Sequence, residues 1–496
     1  MSLDRRSVLK STAAAAVAAG PFAGLVAAPA EARRPPNAAN LVPIEDLRDN
    51  AVRLHLPRGF SYRSFHDTEF PVVLDDGTSL PGRHDGMGAF RGPNGNVILV
   101  RNHEVTNTDP ATPAFGPGTP YDPMAGAGTT TIEVTPFGEV VNGYTSLNGT
   151  MFNCSGGVMP WGSWITCEET INGPDVGADF TGSPNTTLTQ PHGFVFEVPA
   201  DGQSDRQPIR KAGRFAHEAV SFDPVEGILY LTEDNFGFPS GFYRYIPPSN
   251  PMETGRLEDG GRLQMLAVKG RPNAHLEAHQ PRRATYRVTW VDIEDPDPTF
   301  PYTPGEPAPT TNNEAINYVA NQGRALGAAG FSRLEGQVYD NNVVYFTATQ
   351  GGGEEEGDSD TVSGYGNGNG QVWAYHCRSQ RLQLIYQAPV DDALANETFD
   401  FPDNITTSAR GTLVVCEDSS VDNYIRGLSK GGQLWDIALN RLVSQLPAMD
   451  GSFPTRFGDE FAGSTFSPGG HTLFVNIQAS RGMTFAIWGP WKKIGV

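Results

Sequence analysis

The chain has 496 residues, among them 57 Gly and 40 Pro, with 19% charged side chains and a formal net charge of −20 at pH 7. That balance, with no Lys/Arg-rich run in the body of the chain, argues against nucleic acid as a partner and against stable association with an anionic membrane. Frequent Gly and Pro between stretches rich in Thr, Val, Phe and Tyr predict an all-β protein of short strands and tight turns, with little helix.

The N-terminal Asp4-Arg5-Arg6-Ser7-Val8-Leu9-Lys10, an Ala-rich apolar run and Ala30-Glu31-Ala32 read as a twin-arginine signal peptide over 1–32. The run from Ser11 to Ala30 is broken by Gly and Pro and lacks the bulky residues of a membrane anchor. The expected partner is the Tat export machinery, which carries folded proteins, and the expected location is the periplasm or the exterior. The leader holds three cations against two acids, so residues 33–496, read as a single domain, carry −21.

Along that domain one unit recurs six times, an apolar strand closing on polar or metal-competent residues. The copies end at Asn102-His103-Glu104, Cys167-Glu168-Glu169, Glu233-Asp234-Asn235, Thr349-Gln350, Cys416-Glu417-Asp418 and Asn476-Ile477-Gln478. Each follows another strand and a turn, which is hairpin chemistry. Antiparallel pairing then sets Glu218 beside Glu233, Asp85 beside Asn102 to Glu104, Asn153 beside Cys167, Glu335 beside Thr349 and Asn404 beside Glu417. Equivalent positions are 61 to 68 residues apart except for the 116 residues from Glu233 to Thr349. The expectation is a six-bladed β-propeller with an inserted excursion around residues 246–330, overhanging one face.

Polar strand ends from successive blades of a propeller meet at one mouth. Glu104, Glu169, Glu218, Glu233, Asp234, Glu335, Glu417 and Asp418 are expected to converge there, where repulsion and desolvation demand cations. Carboxylates alone suit calcium; a thiolate among them points to a transition metal, iron. Cys167 is open to three readings, metal ligand, disulfide partner of Cys154 or core thiol, with the first preferred. Arg333 stands two residues before Glu335, so on a strand both face one side, and its guanidinium fork matches a phosphate held beside Glu335; a surface ion pair is the alternative. His103 and His217 adjoin glutamates, His217 read as an orienting neighbour. Glu354-Glu355-Glu356 with Asp358 and Asp360 reads as a solvated loop. No nucleophile elbow, Walker loop or dinucleotide fingerprint is present.

Several motifs in order carry a further likeness: Asn153-Cys154-Ser155-Gly156-Gly157, Thr166-Cys167-Glu168-Glu169, Arg214-Phe215-Ala216-His217-Glu218, Ser240-Gly241-Phe242-Tyr243-Arg244-Tyr245, Arg333-Leu334-Glu335-Gly336, Cys416-Glu417-Asp418 and Phe461-Ala462-Gly463. With the leader, they resemble the PhoX-type alkaline phosphatase family over nearly the whole exported chain. The resemblance implies a six-bladed propeller with iron and calcium around a bridging oxo group. Cys167, Glu218, Glu335 and Glu417 would hold the irons or bridge to calcium, with Glu104, Glu169, Glu233 and Asp234 as further metal ligands. Asn153, Arg333 and Glu335 would be the catalytic residues, hydrolysing phosphate monoesters with a metal-bound oxygen as nucleophile. The rivals are a calcium-dependent propeller phosphodiesterase or other hydrolase, and a non-catalytic calcium-stabilised scaffold. Cys167 with Arg333-x-Glu335 favours the phosphatase, because a structural calcium site needs neither. Two features depart from the family pattern: the chain is short for it, and the blade at Thr349 offers no acid.

Overall fold

A computed structural model describes residues 40–108, 111–179, 181–357, 363–390 and 398–496. The expected leader, Asp358 and Asp360 lie outside them. The protein is all-β. Strands β1 (Leu41–Glu45), β2 (Val52–Pro57) and β3 (Ser61–Phe65) join sheets completed by the far end of the chain. β4 (His84–Arg91), β5 (Val97–His103), β6 (Ala127–Val134) and β7 (Val140–Thr150) make a four-stranded sheet; β8 (Asn153–Val158), β9 (Ser163–Glu168) and β10 (Val195–Pro199) make a three-stranded one.

A third unit holds β11 (His217–Asp223), β12 (Ile228–Glu233), β13 (Phe242–Ile246), β14 (Arg262–Val268) and β15 (Thr285–Asp292). A fourth holds β16 (Leu334–Asp340), β17 (Val343–Ala348), β18 (Gln371–His376) and β19 (Arg381–Gln387). β15 pairs with β19, so the two units form one nine-stranded sheet and the hydrogen-bonded sheets number five among the described residues. β20 (Pro402–Thr407), β21 (Leu413–Glu417), β22 (Tyr424–Leu428) and β23 (Leu434–Asn440) are extended by β2 and β1. Finally β24 (Glu460–Phe466), β25 (Thr472–Gln478) and β26 (Met483–Trp488) take β3 as their outer strand.

Each opening strand, β4, β8, β11, β16, β20 and β24, touches the next, and β24 returns to β4. Apolar clusters fill the spaces between successive units, for example Val195 and Ile165 against Val220 and Leu231, and Leu99 and Met87 against Phe474 and Ala486. Burial of each large side chain stabilises by about 1.5–3 kcal/mol, so the closed ring is held chiefly by these faces. Pairing of β3 with β26, Phe65 opposite Thr484, joins the two ends of the described chain in one sheet and leaves no open gap.

The segment 246–330 is less of an excursion than its composition suggests. β14 and β15 lie within it and carry the third sheet outward, because Leu263, Met265 and Val288 present apolar faces to the core. Residues 247–261, 269–284 and 293–330 lie outside its strands, the last with short helices at Asn312–Ile316 and Tyr318–Ala325.

All six opening strands are interrupted at the same place. Two residues face one across the hairpin between His84 and Met87, Asn153 and Gly156, His217 and Val220, Leu334 and Gln337, Pro402 and Ile405, and Ala462 and Thr465. These are β-bulges, which bend a strand and re-aim a side chain. They shift the expected pairings by one residue: Asn153 faces Glu168 rather than Cys167, and His217 rather than Glu218 faces Glu233. In the other hairpins His84 faces His103, Leu334 faces Ala348 where Glu335 beside Thr349 is expected, and Pro402, two residues before Asn404, faces Glu417. Small residues in and after the bulges let neighbouring backbones meet. A Cβ on Gly157 would stand 2.1 Å from the Val220 carbonyl oxygen, and one on Gly86 would stand 2.5 Å from Ser155 Cα. Gly157→Ala is expected to cost about 1–3 kcal/mol by forcing two units apart, read as a lower urea midpoint with an unchanged slope.

Candidate metal centre

The bulges aim one residue per strand toward the ring centre. Asp85, Cys154, Glu218, Glu335 and Asp403 hold this first bulge position, and in the sixth unit it is Gly463, whose Cβ would meet the Asp85 carbonyl oxygen at 2.2 Å. Four of these strands start from a left-handed residue two positions earlier, Arg83 (φ 49°), Phe152 (φ 54°), Arg333 (φ 36°) and Phe401 (φ 55°). Such backbone is costly for a non-glycine residue and persists where surrounding structure enforces it. The enforcing bond recurs: the amides of Glu104, Glu169, Asp234, Thr349 and Asp418 donate to the carbonyls of Arg83, Phe152, Ala216, Arg333 and Phe401. A second ring of side chains, Glu104, Glu169, Asp234 and Asp418, is thereby fixed beside the first, with Thr349 at the equivalent place.

Three sets of ligand atoms result, two of them sharing Asp403. Atoms of Asp85, Glu104 and Cys154 lie within 4.8 Å of one another, as do those of Glu218, Glu335 and Asp403, and those of Asp403, Asp418 and Glu460. Cys154 Sγ lies 2.7 Å from Glu169 Oε2 and 3.3 Å from Glu104 Oε1. The Ser155 amide donates to Glu218 Oε2 at 3.2 Å. Arg333 Nη2 donates to Asp234 Oδ2 and to Glu335 Oε1, both at 2.8 Å, and its guanidinium lies 5.0 Å from the Phe236 ring centre. Arg83, in the same structural position one unit after the ring closes, stands 3.5 Å from Glu104 Oε2.

All of these acids are buried. Burial, then the neighbouring carboxylate of Glu335, drives the Glu218 carboxyl well above its ordinary range. Burial, then Glu104 and Glu169, does the same to the Cys154 thiol. Acids so placed either hold protons or share cations. The donor chemistry fits cations: oxygens in two of the sets suit calcium, and a cysteine among carboxylates in the third suits a transition metal such as iron.

Of the expected residues, Glu104, Glu169, Glu218, Asp234, Glu335, Asp418 and Arg333 meet here. Cys167 does not. It faces away from the centre, fully buried among Ile165, Val195, Val220 and Leu231, and all four cysteines are free thiols. The bulge in β8 is the reason, since a one-residue slip sends a strand's side chains to the other face and gives Cys154 the inward place. Glu233 and Glu417 also stand apart. Glu233 accepts from the Gly241 amide and the Tyr243 hydroxyl; Glu417 accepts from Arg426 Nε at 2.8 Å and the Tyr424 amide. Asn153 donates to Thr166 Oγ1 in its own sheet and accepts from Thr150 Oγ1 at the end of β7. His103 and His217 bond backbone carbonyls of Gly82 and Gly213, and burial holds both rings down at about 3. Glu356 accepts from the Gly366 amide, and Glu354 is exposed.

Arg83, Asp85, Asp403 and Glu460 are further residues of the centre, beyond those expected from the sequence, where the strongest signal sits at the hairpin ends. A usable signal was the acid two residues after Arg83 and after Phe401, matching the Arg333 to Glu335 spacing.

With this geometry in view, the comparisons are decisive. The family model for alkaline phosphatase PhoX matches residues 40–143 and 137–480. The chain belongs to the PhoX alkaline phosphatase family. That membership makes it a phosphatase by class. Among solved structures, PhoX of Pseudomonas fluorescens in complex with vanadate, a transition-state analogue, is similar in fold, with TM-score 0.62 and 15% identity over 91% of this chain and 98% of that one. A gluconolactonase from Xanthomonas campestris aligns at TM-score 0.40 and 13% identity over 91% and 98% of the two chains. No curated protein matches the sequence.

Two outcomes follow for this PhoX family member. Cys154→Ser is expected to lose bound transition metal and turnover, while Cys167→Ala keeps both at some cost in stability; elemental analysis and an ester assay separate them. Burial lifts Glu233 to about 8, above its ordinary 4.5. A raised folded-state value gives stability that is complete below the unfolded value and is lost as pH rises from about 4.5 to 8. Glu233→Gln should therefore flatten the fall in melting temperature across that window and leave turnover intact.

Proposed function

We propose that this PhoX family member is an exported, metal-dependent phosphatase of six-bladed propeller form that hydrolyses phosphate monoesters at the acidic ring centre. The six opening strands in closed contact, each with its bulge, support the blade count. One observation carries the activity: a buried guanidinium, Arg333, held in a strained turn by Asp234 and by Glu335, a member of one of the three ligand sets.

Asp85, Glu104 and Cys154, with Glu169 against the sulfur, would hold iron. Glu218, Glu335, Asp403, Asp418 and Glu460 would hold calcium. When bound, these cations supply the positive charge against which phosphoryl transfer proceeds. The chain's own residues do the positioning. Asp234 grips Nε and Nη2 of Arg333, fixing before substrate arrives a fork whose geometry matches phosphoryl oxygens. The Ser155 amide orients Glu218, and the Phe236 ring supports the guanidinium from one side. A rigid fork beside fixed charges lowers the barrier because nothing has to reorganise at the moment of reaction. Export through the Tat route, with periplasmic or extracellular residence, is the accompanying reading of residues 1–32.

Purified protein carrying iron and calcium should release phosphate from a chromogenic phosphomonoester faster than from the matching diester. A metal-loaded, folded protein that hydrolyses neither would sink the reading. Arg333→Ala should lower kcat/KM by about 10²–10³, and Arg333→Lys should recover little of it, because an ammonium cannot present a planar fork.

A further inference from the structure

Away from the ring centre, the outer rim gathers positive charge. Between residues 262 and 291 the chain holds six Arg or Lys and one acid, Glu277, in a protein of net charge −20. That acid is buried and bonded to His275 at 2.7 Å. The fold then brings a second source alongside. β15 pairs with β19 so that Arg287 lies directly opposite Arg381. The Lys269 amide donates to the Arg287 carbonyl, which sets Lys269 one strand further along the same edge. Arg381 in turn faces His376 across the β18–β19 hairpin, whose turn carries Arg378. Arg271 lies 5.3 Å over the Tyr286 ring, and Arg283 is tied by its guanidinium to the Gly431 carbonyl beside Arg282.

Lys269, Arg271, Arg282, Arg283, Arg287, Arg378 and Arg381 are all exposed. Among the described residues no ion pair with an acid holds any of them. Like charges directly opposite on paired strands destabilise a sheet. A chain with 56 acids to 36 Lys and Arg has no shortage of partners for them. Their concentration on one edge is therefore a feature that the fold itself does not require.

We propose that this rim, a local exception to the acidic balance that argues against stable membrane association, is a reversible docking surface for an anionic phospholipid bilayer, held by phosphate headgroups. Clustered cations near an anionic leaflet bind it additively and reversibly, without insertion. Two observations favour lipid over nucleic acid. The cations are spread over β15, β19 and the loops that adjoin β14, β15 and β18 rather than along a groove that tracks a strand. The aromatic ring beside these cations, Tyr286, is covered by Arg271 and half-buried, so it offers no open platform for base stacking. No helix among the described residues is long and apolar enough to cross a membrane, so attachment would be peripheral.

The test uses the metal-loaded protein, sedimented with vesicles of phosphatidylglycerol and phosphatidylcholine or of phosphatidylcholine alone. Binding is expected to the anionic vesicles at about 0.05 M salt and to be lost at about 0.5 M. Arg287→Glu with Arg381→Glu should lower the bound fraction at least about tenfold, with ester hydrolysis unchanged as proof of fold; the milder Arg287→Gln with Arg381→Gln should fall between. The proposal is overturned by absence of binding at low salt, by equal binding to neutral vesicles, by unchanged binding of the charge-reversed protein, or by duplex DNA displacing the vesicles.

Discussion

Buried negative charge at the ring centre is the constraint on which the rest of this structure turns. Asp85, Glu104, Glu169, Glu218, Asp234, Glu335, Asp403, Asp418 and Glu460 converge there with the Cys154 thiol, and all are buried. Arg83 and Arg333 offset only part of that charge. Taking ions out of water is tolerable only where opposite charge repays the desolvation, and one or two guanidiniums cannot repay nine carboxylates. The interblade apolar faces hold the ring shut around this centre, and cations make the centre tenable at neutral pH.

The backbone divides the work between adjacent acids. In the pairs Glu168-Glu169, Glu233-Asp234 and Glu417-Asp418, the first residue closes the sheet and the second reaches the centre. Glu168 shows the structural role most fully: it accepts from the amides of Met151, Gly193 and Phe194 and bonds His192 at 2.6 Å. Burial opposes charge on His192, yet Glu168 and Asp122 carry its imidazole up to about 9. That fixed ion pair anchors the segment from Met151 to Cys154, which supplies the sulfur.

Much of this was legible in the sequence. The sixfold strand repeat, the family likeness and the convergence of Glu104, Glu169, Glu218, Asp234, Glu335 and Arg333 follow from hairpin pairing and from what carboxylates near an axis require. What failed was register. A single extra residue in each opening strand is invisible to an alternating pattern, and it exchanges Cys167 for Cys154 and moves Glu233 and Glu417 out of the centre. Asp403 and Glu460 sit at strand starts, where no apolar run marks them. The basic rim was hidden for a different reason: its cations are interspersed with other residues over 269–287 and joined to Arg378 and Arg381 only by the pairing of β15 with β19.

The direct test of the central claim is metal content set against stability at neutral pH. Protein purified without added metal should retain calcium and a transition metal, and exhaustive chelation should lower its melting temperature, with recovery on adding both ions back. A metal-free protein that melts at the same temperature at pH 7, with its ring-centre carboxylates ionised, would contradict the account.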